Sequence, residues 1–309
     1  MTERAARRAG AAVAGVAAIG LALAAVPAAT AQEPGTAPTS CADAASAVEI
    51  GAGVPLLDWS ENVGFDGDGN LWVSRVLRGE VQRHDETGAV TASVAVDSPG
   101  AIRLGPDGLL YVTFGDTVTN MLPGVDGGGV VRFDPSATDP VVEEFVTGLG
   151  MANGADFDED GNLYVADTGS GVVRIGTDGV VDTEWSAQTQ RFMVNGVAVR
   201  DGSVYVTVMH TGEILRIPID DPANPAVVAR TTLGTTPISA VPDDLAFGAD
   251  GALYVATSIG RLVRVDPDSG AGCTVAAGEP LTSVVTIPGT PDLAVGTLAG
   301  NILRVTPAS

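Results

Sequence analysis

The sequence predicts an all-β chain folded as a six-bladed β-propeller, with its last blade closed by an N-terminal strand. Two observations support this fold class: a hairpin unit recurs in six copies, and a run containing Arg follows most copies. The copies are spaced by roughly 40 to 50 residues with four strands in each unit, which is typical of a propeller blade. No helical period is sustained beyond the N-terminal segment, which disfavours a doubly wound α/β fold.

The hairpin unit is clearest at residues 193–207. Two short runs of β-branched and aromatic residues, 197–199 and 204–206, flank the turn Asp201-Gly202. An Asp-Gly turn between alternating apolar residues is a strong hairpin signal. A fourth, weaker run is expected after each of the first five units.

The sixth unit closes the predicted ring. It ends at residues 302–305 with no fourth strand after them, and the unpaired run 47–50 can supply that strand. Pairing the two runs removes an open sheet edge that would otherwise invite aggregation.

The N-terminus is predicted to be a signal peptide, residues 1–31. Basic residues precede an apolar run at 11–26, and Ala29-Thr30-Ala31 fits a cleavage site, so we expect secretion after cleavage at about Ala31. A membrane helix is the alternative, and the run is short for one. Sec and twin-arginine export both stay open. Residues 32–45 are expected to form a flexible leader and residues 46–309 a single propeller domain.

The amino-acid composition limits the classes of molecule that the protein is expected to bind. The formal net charge is -22 and the chain has no Lys, which argues against nucleic acid and anionic membrane surfaces as partners. We expect a monomer that binds a small molecule and has no membrane contact once the signal is cleaved. Cys41 and Cys273 are the two cysteines, and in an exported chain they suggest one disulfide, with two free thiols as the alternative.

The residues just before each first strand are the candidate site. In a propeller these positions converge on the mouth of the central channel, and here they read, in order, Glu61, Ser98-Pro99-Gly100, Asn153, Asn195, Asp243 and Thr282. Glu61, Asn153, Asn195 and Asp243 form an oxygen-only set that suits Ca²⁺ or Mg²⁺. The alternative is ordinary turn chemistry, because Asn and Asp are common turn residues.

Four short motifs carry these residues: Trp59-Ser60-Glu61-Asn62, Met151-Ala152-Asn153-Gly154, Met193-Val194-Asn195-Gly196 and Val241-Pro242-Asp243-Asp244. In order and spacing they resemble the motifs of the SMP-30/gluconolactonase/LRE-like family, over about residues 50–305. The resemblance implies a six-bladed propeller with lactonase or phosphotriesterase-like activity. It also implies that Glu61, Asn153, Asn195 and Asp243 bind Ca²⁺ or another divalent cation.

The resemblance implies a mechanism as well. The cation polarises a lactone carbonyl, and Asp243 is the catalytic residue, acting as general base or nucleophile. Asp244 is expected to point away and be structural. Glu61-Asn62-Val63 replaces the family's Glu-Gly-Pro, and Met151 stands where sugar lactonases have Arg. These departures argue against sugar lactones as substrates.

Substrate-binding residues are expected where the second strands end on the same face: Arg75, Phe114, Asp167 and His210. An insertion between Phe114 and Gly129 carries Met121 and should project over the mouth like a lid. For His210 and Asp167 a purely structural turn role is the alternative.

The sequence thus favours an exported, Ca²⁺-type hydrolase that acts on a lactone or related ester. Two alternatives stay open: a non-catalytic NHL-like binding propeller, and a lyase or cyclase like the propellers of natural-product pathways.

Overall fold

The computed structural model describes residues 40–41, 46–51, 53–55, 57–233 and 238–307. The predicted signal peptide lies outside the described residues, as does the predicted leader apart from Ser40 and Cys41. Among the described residues, no helix has the length and apolarity needed to cross a membrane.

The strands form six antiparallel sheets arranged as the six blades of a propeller, which confirms the predicted fold class. Blade 1 contains β2 (Ser60–Phe65), β3 (Leu71–Arg75), β4 (Glu80–His84) and β5 (Val90–Ala95). Blade 2 contains β6 (Ile102–Leu104), β7 (Leu110–Phe114), β8 (Gly128–Phe133) and β9 (Glu143–Leu149). Blade 3 contains β10 (Ala152–Phe157), β11 (Leu163–Asp167) and β12 (Gly171–Ile175).

The second half of the ring repeats this order. Blade 4 contains β13 (Val194–Arg200), β14 (Ser203–Val208), β15 (Glu213–Pro218) and β16 (Ala226–Arg230). Blade 5 contains β17 (Pro242–Phe247), β18 (Leu253–Thr257), β19 (Arg261–Val265) and β20 (Gly272–Ala277). Blade 6 contains β21 (Leu281–Thr286), β22 (Leu293–Thr297), β23 (Ile302–Thr306) and, at its outer edge, β1 (Ser46–Gly51).

The seam is formed as predicted. Strand β1 pairs antiparallel with β23, from Ser46 opposite Thr306 to Gly51 opposite Ile302. The end of the predicted leader is also anchored, because Cys41 forms a disulfide with Cys273 in β20 and its N–H donates to the Thr274 carbonyl.

Blade 3 departs from the prediction of a fourth strand. Residues 180–186, which follow β12, contain the short helix α1 (Thr183–Ser186) instead. The Asp182 side chain caps α1 by accepting from the Trp185 N–H, and Asp at this position stabilises a helix start. Trp185 is buried between blades 3 and 4, and its indole N–H donates to the Ile219 carbonyl. The short helix α1, capped by Asp182 and anchored by the buried Trp185 indole, therefore stands where a fourth strand was predicted.

Apolar side chains of neighbouring blades pack face to face and form the core. One cluster joins Tyr164 of β11 to Val197 and Val206 of blade 4, and equivalent clusters occur around the ring. The first strands β2, β6, β10, β13, β17 and β21 contact one another around the axis. This arrangement places the loops that enter each first strand at the channel mouth.

Candidate functional site

The pairing of the first strand with the second strand is irregular near the start of the first strand. In blades 1, 3, 4 and 5 two residues face a single residue of the second strand, as where Glu61 and Asn62 lie between the pairs Ser60–Arg75 and Val63–Val73. Such a β-bulge bends the strand and re-aims side chains. Both bulge residues can therefore face the channel, and the side chains at the axis form two layers.

The mouth layer begins with Glu61 and Asn153, which meet across the axis from blades 1 and 3. The Asn153 Nδ2 atom lies 3.4 Å from Glu61 Oε1 and 3.3 Å from Asp116 Oδ1. The Asp116 carboxyl also interacts directly with that of Glu61. All three side chains are buried.

Asn195 and Asp243 complete this layer from blades 4 and 5. The Asp243 Oδ2 atom accepts a hydrogen bond from the Ser258 hydroxyl at 3.1 Å, and the Asn195 amide lies beside the same carboxyl. Asn195 Nδ2 lies 3.2 Å from the Met209 sulfur. The structure thus brings together all four predicted ligand residues.

The electrostatics of the mouth layer are unfavourable in the absence of a cation. Burial raises the pKa of the Glu61 carboxyl. Burial and the neighbouring Glu61 charge raise the pKa values of Asp116 and Asp243 well above the ordinary range of Asp. None of the ion pairs found in the described part of the chain involves these three carboxylates. Buried carboxylates without a counter-charge are costly.

Two orphaned oxygens show that the layer fits a hard cation. Glu61 Oε2 and Asn195 Oδ1 are buried without any hydrogen-bond partner, on residues that are 5% and 3% exposed. Carboxylate and amide oxygens are the ligands that Ca²⁺ prefers. Among the described residues, no three His, Cys, Asp or Glu side chains could hold a metal ion by themselves. The amide oxygens of Asn153 and Asn195 are therefore needed to complete a ligand set.

The second layer is a polar network in which Asp244 Oδ1 has an ion-pair contact but no hydrogen bond. Asn62 Nδ2 donates to Asp244 Oδ2 at 3.0 Å, and Arg103 Nη1 donates to Asn62 Oδ1 at 3.0 Å. Arg103 also forms an ion pair with Asp244, with 3.8 Å between Nη2 and Oδ1. The prediction that Asp244 points away from the channel was wrong, because the bulge turns it toward the axis. Its expected structural role agrees with these contacts.

Backbone strain accompanies the mouth layer. Met193 and Val241 have φ angles of 64° and 50°, and each lies two residues before a predicted ligand. Ser98, with a φ of 45°, lies two residues before Gly100 in blade 2. Positive φ is rare for non-glycine residues and costly for β-branched Val, and such strain is concentrated at functional sites.

Hydroxyl groups fix the backbone of this layer from the neighbouring blade. Ser74 donates to the Gly100 carbonyl, Thr113 to that of Asn153 and Thr207 to that of Asp243, each at 2.6 Å. Thr282 hydrogen-bonds the Ser60 carbonyl in the same way. Ser74 and Thr207 are the residues opposite the bulges of blades 1 and 4, and Thr113 lies on the second strand of blade 2, so in these blades the second strand positions the entry of the next blade.

Two predicted substrate residues lie elsewhere. Arg75 is 2% exposed, and its guanidinium donates to the carbonyls of Asp58 and Gly300 and to the Ser60 hydroxyl. These bonds join blade 1 to blade 6, so we assign Arg75 to the blade junction and not to a substrate contact. Phe114 is half-buried and packs against the core between blades 1 and 2.

The other three predicted substrate residues differ in exposure: Asp167 is buried, Met121 is half-buried and His210 is exposed. Met121 and Asp167 line a cavity of about 630 Å³ beside the insertion, together with Leu122 and Gly150. The Asp167 carboxylate also accepts from the backbone N–H groups of Gly150 and Gly169, so it has the structural turn role as well. His210 is exposed, and its ring centroid lies 6.2 Å from that of Phe192.

Sequence reasoning missed three residues at the axis: Asp116, Arg103 and Ser258. Asp116 lies in the insertion, where no repeat pattern predicts orientation. Ser258 directly follows the second strand of blade 5, β18. A signal for Arg103 was its position inside β6, where it is the lone basic residue in a short strand.

Comparisons with known proteins point to propellers with different chemistry. A model of the family described as strictosidine synthase-like, N-terminal, matches residues 229–265, which include the entry of blade 5. Virginiamycin B lyase of Nocardia farcinica (strain IFM 10152) is 29% identical over 213 residues. That alignment covers 67% of this chain and 66% of the lyase, so the chain spans just under two thirds of this relative.

Solved structures establish the fold. XC5397 from Xanthomonas campestris, described as a gluconolactonase, superposes with a TM-score of 0.67 at 15% identity and covers 90% of this chain and 99% of its own. Regucalcin from Agrobacterium tumefaciens, described as a calcium-binding protein, superposes with a TM-score of 0.60 at 17% identity and covers 82% and 93%. This chain has the propeller fold of gluconolactonase and regucalcin. The resemblance found in the sequence is therefore confirmed at the level of the fold.

Proposed function

We propose that this protein is a divalent-cation-dependent hydrolase, of the Ca²⁺ type, that opens a lactone or a related ester at the channel mouth. One observation carries the proposal: Glu61, Asn153, Asn195 and Asp243 converge from four blades with two buried oxygens unpartnered. A regucalcin and a gluconolactonase of the same fold support both parts of the proposal.

The predicted ligand set matches such a cation in charge and in chemistry. Glu61 and Asp243 supply two negative charges, and Asn153 and Asn195 supply neutral amide oxygens. To bind the cation through Oδ1, the Asn153 amide would have to turn. Its Nδ2 atom would then no longer contact the carboxylates of Glu61 and Asp116. The bound cation would polarise the ester carbonyl and stabilise negative charge on its oxygen.

Asp243 is the residue that we assign to the chemistry. Its Oδ2 atom is held by the Ser258 hydroxyl, which leaves the other oxygen free for a ligand or a proton. As general base, Asp243 takes a proton from water while the hydroxide adds to the carbonyl carbon. The ring C–O bond then breaks, and the proton passes to the leaving oxygen. As nucleophile, the Asp243 carboxylate adds to the carbonyl carbon, the ring acyl C–O bond breaks, and the leaving oxygen takes a proton from water. A second water then cleaves the acyl bond to Asp243 and regenerates the carboxylate.

The rim and the adjacent cavity provide room for the remainder of the substrate. We assign His210, Met121 and Asp167 to this region because His210 is exposed and the other two line the cavity of about 630 Å³. The pocket combines apolar lining from Met121 and Leu122 with few charges, which favours a substrate with an apolar part.

We also infer that the protein works outside the cytoplasm. The Cys41–Cys273 disulfide supports this proposal, since disulfides persist mainly in oxidising compartments. The N-terminal residues with the sequence features of a signal peptide agree with it.

A lyase that opens a cyclic ester by elimination is the second candidate. The 29% identity to virginiamycin B lyase favours it. Elimination breaks the alkyl C–O bond of the ester and not its acyl C–O bond: a proton leaves the neighbouring carbon, a C=C bond forms, the carboxylate is the leaving group, and no water is added. The two candidates therefore differ in product mass: a hydrolysed lactone gains one water, and an eliminated one gains none.

The first experiment is the melting temperature of the mature protein in EDTA and with added Ca²⁺, for wild type, Asp243→Ala and the exposed control Asp220→Ala. We expect Ca²⁺ to raise the melting temperature of wild type and of Asp220→Ala, but not that of Asp243→Ala. A lactone panel read by mass spectrometry follows. Absence of a Ca²⁺ response in every protein, with no ion in the purified sample, would overturn the proposal in favour of the lyase or the binding propeller.

A further inference from the structure

Blade 2 has no side chain at its position in the mouth layer. The strand registers align Gly100 with Glu61, Asn153, Asn195, Asp243 and Thr282 of the other blades. A Cβ atom at Gly100 would lie 2.5 Å from Thr113 Oγ1, closer than real contacts allow. The hydroxyl that holds the blade 3 entry therefore leaves no space for a side chain here.

Asp116 occupies the place that Gly100 leaves open. It follows β7 at the start of the insertion, and its N–H donates to the carbonyl of the strained Ser98 at 3.0 Å. Gly115, with a φ of 81°, makes the turn, and its own N–H donates to the Asp97 carbonyl at 3.1 Å. These two backbone bonds tie the insertion to the entry of blade 2 and direct the Asp116 side chain toward the axis.

The Asp116 carboxylate is a member of the mouth layer and not of the protein surface. It is 8% exposed, it accepts from Asn153 Nδ2 at 3.3 Å, and it interacts with the Glu61 carboxyl. Two buried carboxyls in contact, with no Arg beside them among the described residues, are stabilised by a shared proton or by a bound cation. Independently, Glu61 Oε2 and Asn195 Oδ1 are buried, unpartnered and ready to accept a ligand.

We propose that Asp116 is a further ligand of the cation site, supplied by the insertion in place of the side chain that blade 2 lacks. This inference rests on the proposed function. It raises the carboxylate charge of the site from two to three, which strengthens binding of highly charged hard cations. It also makes the insertion part of the site.

Asp116 does not complete a ligand set from carboxylates alone, so the amide oxygens stay part of the proposed site. Glu61, Asp116 and Asp243 are not arranged to hold an ion by themselves among the described residues. Asn120 folds the insertion back on itself by donating from Nδ2 to the Gly115 carbonyl at 2.7 Å, and Met121 packs against Gly169 of blade 3. A cation held by Asp116 would therefore restrain a segment that already contacts the fold at Asn120 and Met121.

The test is cation affinity, measured by calorimetric titration with Ca²⁺ and by sensitised Tb³⁺ luminescence. The variants are Asp116→Asn, the matched control Asp126→Asn on the exposed part of the same insertion, and Asp243→Asn. Each of the three substitutions removes one carboxylate charge. A thermal melt of each variant in EDTA is the control for folding. We expect Asp116→Asn to weaken binding about ten-fold or more and Asp126→Asn to bind like wild type.

A second readout is proteolysis of the insertion. Ca²⁺ should protect residues 117–126 from cleavage in wild type and in Asp126→Asn, but not in Asp116→Asn. If Asp116→Asn binds like wild type while Asp243→Asn does not, Asp116 is not a ligand and the proposed function survives. If wild type itself binds no cation, both the proposed function and this inference are overturned.

Discussion

The Thr113 hydroxyl donates to the Asn153 carbonyl at 2.6 Å, so a side chain of blade 2 holds the backbone of a predicted ligand in blade 3. The same hydroxyl accepts from the Ala101 N–H at 2.7 Å. Thr207 repeats the arrangement between blades 4 and 5, where it bonds the Gly196 N–H and the Asp243 carbonyl. The spacing between neighbouring blades and the geometry of the site thus depend on the same buried hydroxyls.

Replacement of Thr113 by Val should therefore affect stability and cation affinity together. Val keeps the shape but removes the hydroxyl from the Asn153 carbonyl, which keeps the Ala101 N–H as a donor at 3.1 Å, so we expect a cost of about 0.5–1.5 kcal/mol. Thr113→Ser keeps the hydroxyl and is the matched control. Urea denaturation should give a clearly lower free energy of unfolding for Thr113→Val than for Thr113→Ser. Equal stabilities of the two variants would show that the hydroxyl contributes nothing.

Arg75 provides the second prediction, which separates a junction role from substrate contact. Arg75→Ala removes a buried side chain and leaves the Asp58 carbonyl without this donor, while the Gly300 carbonyl keeps the Ser60 hydroxyl at 3.1 Å, and we expect a loss of about 3 kcal/mol or more in the free energy of unfolding. Arg78→Ala removes a guanidinium three residues away whose partner is Asp58 at the surface, and it should change stability little. A normally stable Arg75→Ala protein with a raised KM would instead restore Arg75 to the substrate site.

His84 provides a pH-dependent prediction away from the channel. Its Nδ1 atom lies 3.0 Å from the Gly88 carbonyl, and its Nε2 atom is buried without a partner, so a second proton on the ring has no acceptor. Burial lowers the pKa of His84 below its ordinary value. The stability gained by the neutral ring is therefore present above the unfolded pKa of about 6.5 and is lost as pH falls through the folded pKa.

Urea denaturation at about pH 7.5 and about pH 5.5 tests this effect. Wild type should lose more stability on acidification than His84→Gln, whose side chain does not titrate. His210 is the other histidine of the chain and is exposed, so His210→Gln should behave like wild type. Parallel pH profiles of wild type and His84→Gln would contradict the assignment.

The number of blades, the seam and the ring of entry positions could be predicted from the sequence because each depends on a local, repeated signal. Asp-Gly turns and alternating apolar residues recur in phase, so Glu61, Asn153, Asn195 and Asp243 align without knowledge of the fold. The seam followed from counting strands in the sixth unit.

The remaining features depend on contacts that the repeat does not encode. Asp116 is directed by two backbone bonds of an insertion, and Asp244 is turned inward by a bulge that alternation would not predict. Arg75 is drawn into the junction by carbonyls of two different blades. In blade 3, the capping of α1 by Asp182 replaces the expected strand. Each deviation has a local physical cause that appears only when neighbouring blades are in place.

The seam also has a mechanical consequence. Strand β1 belongs to blade 6, but Cys41, just before it, is covalently bonded to β20 of blade 5. A pulling force applied at Ser40 would act on the disulfide before it could separate β1 from β23. The disulfide therefore resists tension applied from that side. In a reducing solution the disulfide would be lost, and only the hydrogen bonds and packing of β1 against β23 would resist the same force.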